Sequence, residues 1–368
     1  MMPVWLFVPF IFFIRMFGLF SLIPLIKPLL ESLSLTVTPA SISLLTFSYS
    51  LSQAIFQWPL SALSDKWGRL FIIRVGLLLF GIGSIIGLFS NSIVSLVIAR
   101  VLQGSGAIGA TAQAFLADSA KGEKFQLNFY LVGMAIVLSF GLSFLIAPVF
   151  SNYSEPKNIF LMIAVLTFVG LAGSYRVKEI KLSIPQEKDK MSFSTPIFLI
   201  FSASFMIHFL QSYLFGCYPL LVSDNPSLTY RNLFCYAFLL SLYPLAKRNF
   251  RLILIYCITA IIFFFIATAY LNQIINNKIY LYQYYILMIF FILLLLEATL
   301  PSLLTLYMKG KRGAMIGLYS TIQYLAMSFG GGAVAYAAYP VAVFGVQCIF
   351  YALLMPALWC IYNRRSDE

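Results

Sequence analysis

Apolar stretches of about 20 residues recur from one end of the chain to the other, with short polar segments between them. Wound as a helix, such a stretch matches the roughly 30 Å hydrocarbon core of a bilayer. No water inside the bilayer can satisfy an unpaired amide, so each stretch is predicted to be a membrane-spanning helix. Twelve spans result: 4–26, 41–64, 71–90, 92–118, 126–151, 158–176, 196–222, 230–246, 250–271, 280–306, 313–336 and 340–362. The eighth is short and mixed in polarity. The pattern defines an all-α, polytopic membrane protein.

Charge then sets direction. Hydrophobic residues make up 61% of the chain, and the net charge is +12. Eighteen of the 24 Lys and Arg residues fall in one alternate set of connections and the C-terminus, four in the opposite set, and Arg15 and Arg100 within spans. Short cytoplasmic loops retain Lys and Arg, so both termini are expected in the cytoplasm. The same asymmetry accounts for the positive charge without a nucleic-acid partner, since no basic run has the size or context for one. The first span lacks a basic leading segment and a small-residue cleavage site, and reads as an uncleaved helix.

The longest connection, with K-E-I-K and Q-E-K-D-K, divides the chain into an N-terminal six-helix bundle (1–175), a cytoplasmic linker (176–195) and a C-terminal six-helix bundle (196–368). The halves echo each other. L-S-D-K-W-G-R at 63–69 faces L-A-K-R-N-F-R at 245–251, and A-K-G-E-K at 120–124 faces M-K-G-K-R at 308–312. Parallel six-helix repeats are one way to build an alternating-access carrier.

S-A-L-S-D-K-W-G-R-L at 61–70 lies on the cytoplasmic side between the second and third spans. In that position it resembles the G-x-L-x-D-R-x-G-R-R loop of the major facilitator superfamily. R-V-L-Q-G-S-G-A at 100–107 is similar to the fourth-helix R-x-x-Q-G-x-G pattern of its proton-coupled drug antiporters. R-M-F-G-L-F at 15–20, His208 with Pro219, L-L-E-A-T-L-P-S-L at 295–303 and G-L-Y-S-T-I-Q at 317–323 resemble the YajR-like efflux subgroup. Ser61, Leu70 and Ala147-Pro148 depart from these patterns, the last in the fifth-helix antiporter motif.

Several polar residues stand out against the apolar spans. An arginine at mid-membrane costs about 2.5–3.5 kcal/mol on insertion scales, so Arg15 and Arg100 should face protein or water. Gln103 lies one turn from Arg100. Glu297 is the only carboxylate deep in a span; a buried carboxylate has its charged form disfavoured and can cycle between charged and neutral. A permanent ion pair of Glu297 with Arg15 or Arg100 is the alternative. His208, the sole histidine, belongs to a residue type that titrates near neutral pH, and Gln211 and Ser212 share its helix face. Glu297, His208, Arg100 and Arg15 are therefore proton-coupling candidates. Gln103, Gln211, Ser212, Ser320, Gln323 and Tyr324 are substrate-cavity candidates. The resemblance further implies a conformational latch of Asp65, Lys66, Gly68, Arg69, Arg74 and Asp118. The glycines of the fourth, fifth and eleventh spans suit close helix approach, and Gly330–Gly332 suit a flexible or bent segment.

The resemblance implies the major facilitator fold and proton-coupled efflux of a small amphipathic or lipophilic compound across a bacterial inner membrane. Its partners are then that small molecule, protons and lipid, and a monomer is expected. Two other readings remain: proton-coupled metabolite uptake on the same fold, and a membrane sensor or assembly protein that does not transport. The five cysteines lack metal-ligand spacing, and neither a metal nor a cofactor is implied. H-E-x-x-H, G-x-S-x-G and paired intramembrane aspartates are missing from the sequence, so an enzyme is not expected.

Overall fold

A chain in lipid must satisfy its backbone within each segment, and all regular structure among the described residues is helical. The computed structural model describes residues 2–119, 123–179, 194–221, 300, 304 and 312–336. In chain order these form α1 (Val4–Phe20), α2 (Leu22–Ser32), α3 (Pro39–Trp67), α4 (Arg69–Leu88), α5 (Ile93–Ser105), α6 (Gly109–Ser119), α7 (Glu123–Tyr153), α8 (Asn158–Ser174), α9 (Thr195–Leu221) and α10 (Arg312–Ala333). A short 3-10 turn, Val334–Tyr336, follows α10. The predicted spans at 230–246, 250–271 and 340–362, nearly all of 280–306 and the linker from 180 to 193 lie outside the described residues.

Two predicted spans are interrupted. The first bends by 44° between α1 and α2. Pro24 has no N–H to offer the Phe20 carbonyl and its ring crowds that oxygen, which breaks the helix at Ser21. The fourth pauses at Gly106–Ile108 between α5 and α6, within the glycine-rich Q-G-S-G-A-I-G run. A Cβ on Gly106 would strike the Gly76 carbonyl of α4, so the break lies at a close approach of two backbones. The sequence pattern shows neither interruption, because hydropathy continues across both.

Local chemistry fixes the helix ends. Thr38 and Ser92 cap α3 and α5 in reciprocal boxes with Ser41 and Ser95, and Pro39 opens α3. Gly68 alone joins α3 to α4, at φ 95° and ψ 145°, a backbone conformation open to glycine and strained for other residues.

Helix α1 packs on α7 and α8, α4 lies between α5 and α8, and α3 touches α5 on one side and α10 on the other. Phe140 of α7 meets Phe20 edge-on at 5.3 Å and stacks on Phe215 of α9 at 5.7 Å. Of the described helices, α4, the joined α5–α6 and Thr195–Cys217 of α9 are each apolar and long enough to cross a bilayer, and α1–α2 would be a fourth crossing. Helix α3 is long but polar. Its Ser48, Ser52, Gln53, Gln57, Ser61 and Ser64 are all buried, so α3 forms a polar wall inside the molecule. Apolar Ile55, Phe71, Ile98, Val165 and Phe198 occupy the outer surface, as lipid contact allows.

Gly330–Gly332 do not make a bend. They continue α10, and a Cβ on Gly330 would collide with the Phe209 carbonyl of α9, so this glycine serves close packing. Gly104 does the same for α5: its Cβ would meet the Tyr49 carbonyl and lie 2.9 Å from the Ser52 Cβ. Around Gly133 no side chain of another described residue comes within 4 Å of the point a Cβ would occupy. Gly104→Val should therefore lower stability by about 1–3 kcal/mol through overpacking. Gly133→Ala should leave it unchanged or raise it by roughly 0.5–1 kcal/mol, since glycine weakens helix interiors. Thermal unfolding of both variants in detergent checks the contrast; equal losses would contradict it.

Candidate functional site

Polar side chains that cannot face lipid converge near the middle of the spans. Arg15 of α1 is 3% exposed, and its Nε and Nη2 have no hydrogen-bond partner among the described residues. Gln57 of α3 is fully buried with both amide atoms unpartnered, and Gln53, one turn away, is in the same condition. These groups meet where α6 begins. The point that a Cβ on Gly109 would occupy lies 3.3 Å from Gln57 Nε2, 3.6 Å from Arg15 Nη1 and 4.0 Å from the Tyr324 hydroxyl of α10. Gly109 thus leaves a chamber no larger than a methyl group, faced by a guanidinium, an amide and a phenol.

Arg100 has a different environment although its burial is the same. Its Nη1 donates to Gln103 Oε1 at 2.8 Å, its Nε points at the Leu45 carbonyl at 3.4 Å, and its guanidinium lies 4.3 Å over the Tyr49 ring. Gln103 passes the network on by donating to Ser84 Oγ at 2.9 Å. Arg100 therefore ties α5 to α3 and α4 while also lining a cleft whose other walls include Leu19, Phe20, Ile23, Ser212 and Met327.

One turn before the cleft residue Ser212, His208 of α9 has Nδ1 2.7 Å from the Ser204 carbonyl and Nε2 3.1 Å from the Gln323 amide nitrogen of α10. The carbonyl can only accept, so Nδ1 carries the proton and Nε2 accepts from Gln323. Gln211 and Ser320 are buried nearby on α9 and α10. Glu297 lies outside the described residues.

The junction of α3 with α4 carries the second polar cluster. Arg69 Nη2 lies 2.6 Å from Asp65 Oδ1, its Nε lies 3.2 Å from Asp118 Oδ2, and Nη1 donates to Ser64 Oγ. One guanidinium thus bridges the ends of α3 and α6 from the first residue of α4. Lys66 is exposed and makes no ion pair among the described residues. Arg74, grouped with this cluster on sequence grounds, contacts another helix. It donates to the Ser174 hydroxyl and carbonyl, both at 3.1 Å, and lies 4.3 Å over Tyr175, which fastens α4 to the end of α8.

Glu179 is the residue that sequence reasoning missed. Its carboxylate accepts the backbone N–H of Arg69 at 3.1 Å and of Leu70 at 3.0 Å, capping α4 from the start of the linker. The first turn of a helix leaves N–H groups unpaired and favours negative charge, which is what Glu179 supplies. In the sequence it sits in a basic-acidic run that reads as solvated. Gln53 and Gln57 were also missed, although their spacing with Ser61 and Ser64 marks one helix face.

These features fit a known class. The model of the Major Facilitator Superfamily matches residues 9–331, and the chain belongs to that superfamily. It is 26% identical to the inner membrane transport protein YajR of Escherichia coli K12, across 97% of this chain and 82% of that one. An uncharacterised transporter of Buchnera aphidicola subsp. Acyrthosiphon pisum is 29% identical across 87% of this chain and 86% of its own. Among solved structures, the human organic anion transporter MFSD10 superposes with a TM-score of 0.74 at 15% identity, covering 97% of this chain and 98% of its own. The fold is the major facilitator fold.

Removing the Glu179 carboxylate should uncap α4. Glu179→Ala is expected to lower stability by about 0.5–2 kcal/mol, the usual range for losing a side-chain cap. Lys66→Ala should have no measurable effect. Melting midpoints of the two purified variants test this, and indifference of Glu179→Ala would remove the cap from the latch.

Proposed function

We propose that this membrane transporter exports a small amphipathic or lipophilic compound across the bacterial inner membrane in exchange for protons, with both termini in the cytoplasm. Two six-helix bundles rock about a substrate site at half height, and access alternates between the two sides. The observation that carries the reading is the gathering of Arg15, Gln57, Gly109 and Tyr324 where helices from the two ends of the chain meet. Groups so costly to bury are retained inside a membrane where a polar solute or proton must pass.

Glu297 takes and releases the proton, its carboxyl cycling between charged and neutral forms. His208, bonded to Gln323 through the nitrogen that would accept a proton, relays the change to α10. Arg69 with Asp65 and Asp118, seated by the Gly68 turn, holds the cytoplasmic ends of α3, α4 and α6 together and releases them when that side opens. Export is supported by the motif likeness to proton-coupled antiporters, and the inner membrane by the location in the name of the Escherichia coli relative.

Vesicles containing the purified protein, given a pH gradient, should move substrate with the proton flux reported by an internal pH dye. Glu297→Gln should abolish the coupling; undiminished proton-driven flux would take Glu297 out of the mechanism. Asp65→Asn should slow transport several-fold at unchanged membrane abundance, because Arg69 then has only Asp118 to hold. A wild-type rate in that variant would sink the latch, and the direction of net flux decides between export and uptake.

A further inference from the structure

We infer that the chamber at the start of α6 is an oxyanion site, and that the cargo is an apolar molecule bearing one carboxylate, sulfonate or phosphate-type group. The inference rests on the carrier reading above and names the substrate class of that same site.

Four observations point the same way. First, Arg15 is a permanent cation, buried, with Nε and Nη2 unpartnered. The ion pairs among the described residues are Arg69 with Asp65, Arg69 with Asp118, and Lys157 with Glu155, and none includes Arg15. No Asp or Glu among the described residues is buried. Second, Gln57 brings an unpartnered amide into the same space, left open by the missing Cβ of Gly109. Third, that space lies at the N-terminus of α6, an eleven-residue helix with no acidic residue in its first turn. Helix N-termini inside interrupted membrane spans carry free N–H groups and a positive dipole end, and they face anionic groups of substrates. Fourth, Tyr324 packs with Ala54, Met327 and Leu19, and the last two also line the apolar cleft. An oxyanion at Arg15 would therefore leave an apolar body lying along the cleft.

The contrast with Arg100 gives the inference its force. Arg100 spends its donors on Gln103 and a carbonyl and its face on Tyr49, as a structural arginine does. Arg15 has the same burial without such partners. Guanidinium, amide and helix N–H groups are all donors, and the ligand that answers several converging donors around a positive charge is an oxyanion.

Melting midpoints of the full-length protein in detergent, at constant ionic strength, provide the test. Sodium naphthalene-2-sulfonate should raise the wild-type midpoint by about 2 °C or more, a readily resolved shift for a protein of this size. The matched naphthyl alcohol and naphthyl ammonium compounds should not. The shift should vanish in Arg15→Met and in Gly109→Ala, which keeps the charge but fills the space, and should persist in Glu297→Gln. Inorganic phosphate giving an equal shift, lost in the same two variants, would support the oxyanion chamber with a free ion as its source. Without ligand, Arg15→Met should melt higher than wild type, because it removes an unanswered buried charge.

The inference is overturned if no anion stabilises the protein or if Arg15→Met retains the full shift. It is also overturned if ligand-free Arg15→Met melts lower and adding Glu297→Gln restores it, since the charge is then answered within the chain. Proton-driven flux without any anion shift sinks the chamber alone. An anion shift without flux sinks the carrier reading alone.

Discussion

A charged or amide group inside a bilayer has no water to turn to, and that constraint organises this molecule. The backbone meets it by forming helices, and the side chains meet it by turning inward, so that α3, the most polar of the long helices, is lined with buried Ser and Gln. Lipid takes the apolar faces at no cost, which leaves packing between helices to close contacts. Gly104 against Tyr49 and Gly330 against Phe209 show how nearly backbones must touch for this to succeed.

The same constraint sorts the arginines. Arg69 is answered by two carboxylates at the α3–α4 junction, Arg100 by neutral acceptors and a ring, and Arg74 by the carbonyl end of α8. Arg15 is left with open donors beside an equally unsatisfied Gln57. A protein keeps such an arrangement at a cost in stability, and the proposed binding of a polar solute would supply the reason.

The interruptions in the first and fourth spans serve the same interior. The break after Ser105 turns what hydropathy presents as one helix into two, and it puts a helix N-terminus in mid-membrane beside Arg15. The bend at Ser21 tilts α2 so that Leu22, Ile23 and Ile26 wall the cleft. Polar chamber and apolar cleft then adjoin.

The sequence by itself determined the helical class and the superfamily and nominated the spans and the candidate groups, because span length, loop charge and short motifs are local properties that lipid reads directly. It also marked Asp65, Arg69 and Asp118 as a set. It placed Arg100 and Arg15 side by side as candidates and Gln103 one turn from Arg100, and that neighbour is what leaves Arg100 satisfied. Glu179 on the end of α4, Arg74 on α8 and the meeting of Arg15, Gln57, Gly109 and Tyr324 were decided only by tertiary structure. Their partners are up to hundreds of residues apart, and a side chain's hydrogen bonds depend on which helix faces it, a property no single segment carries.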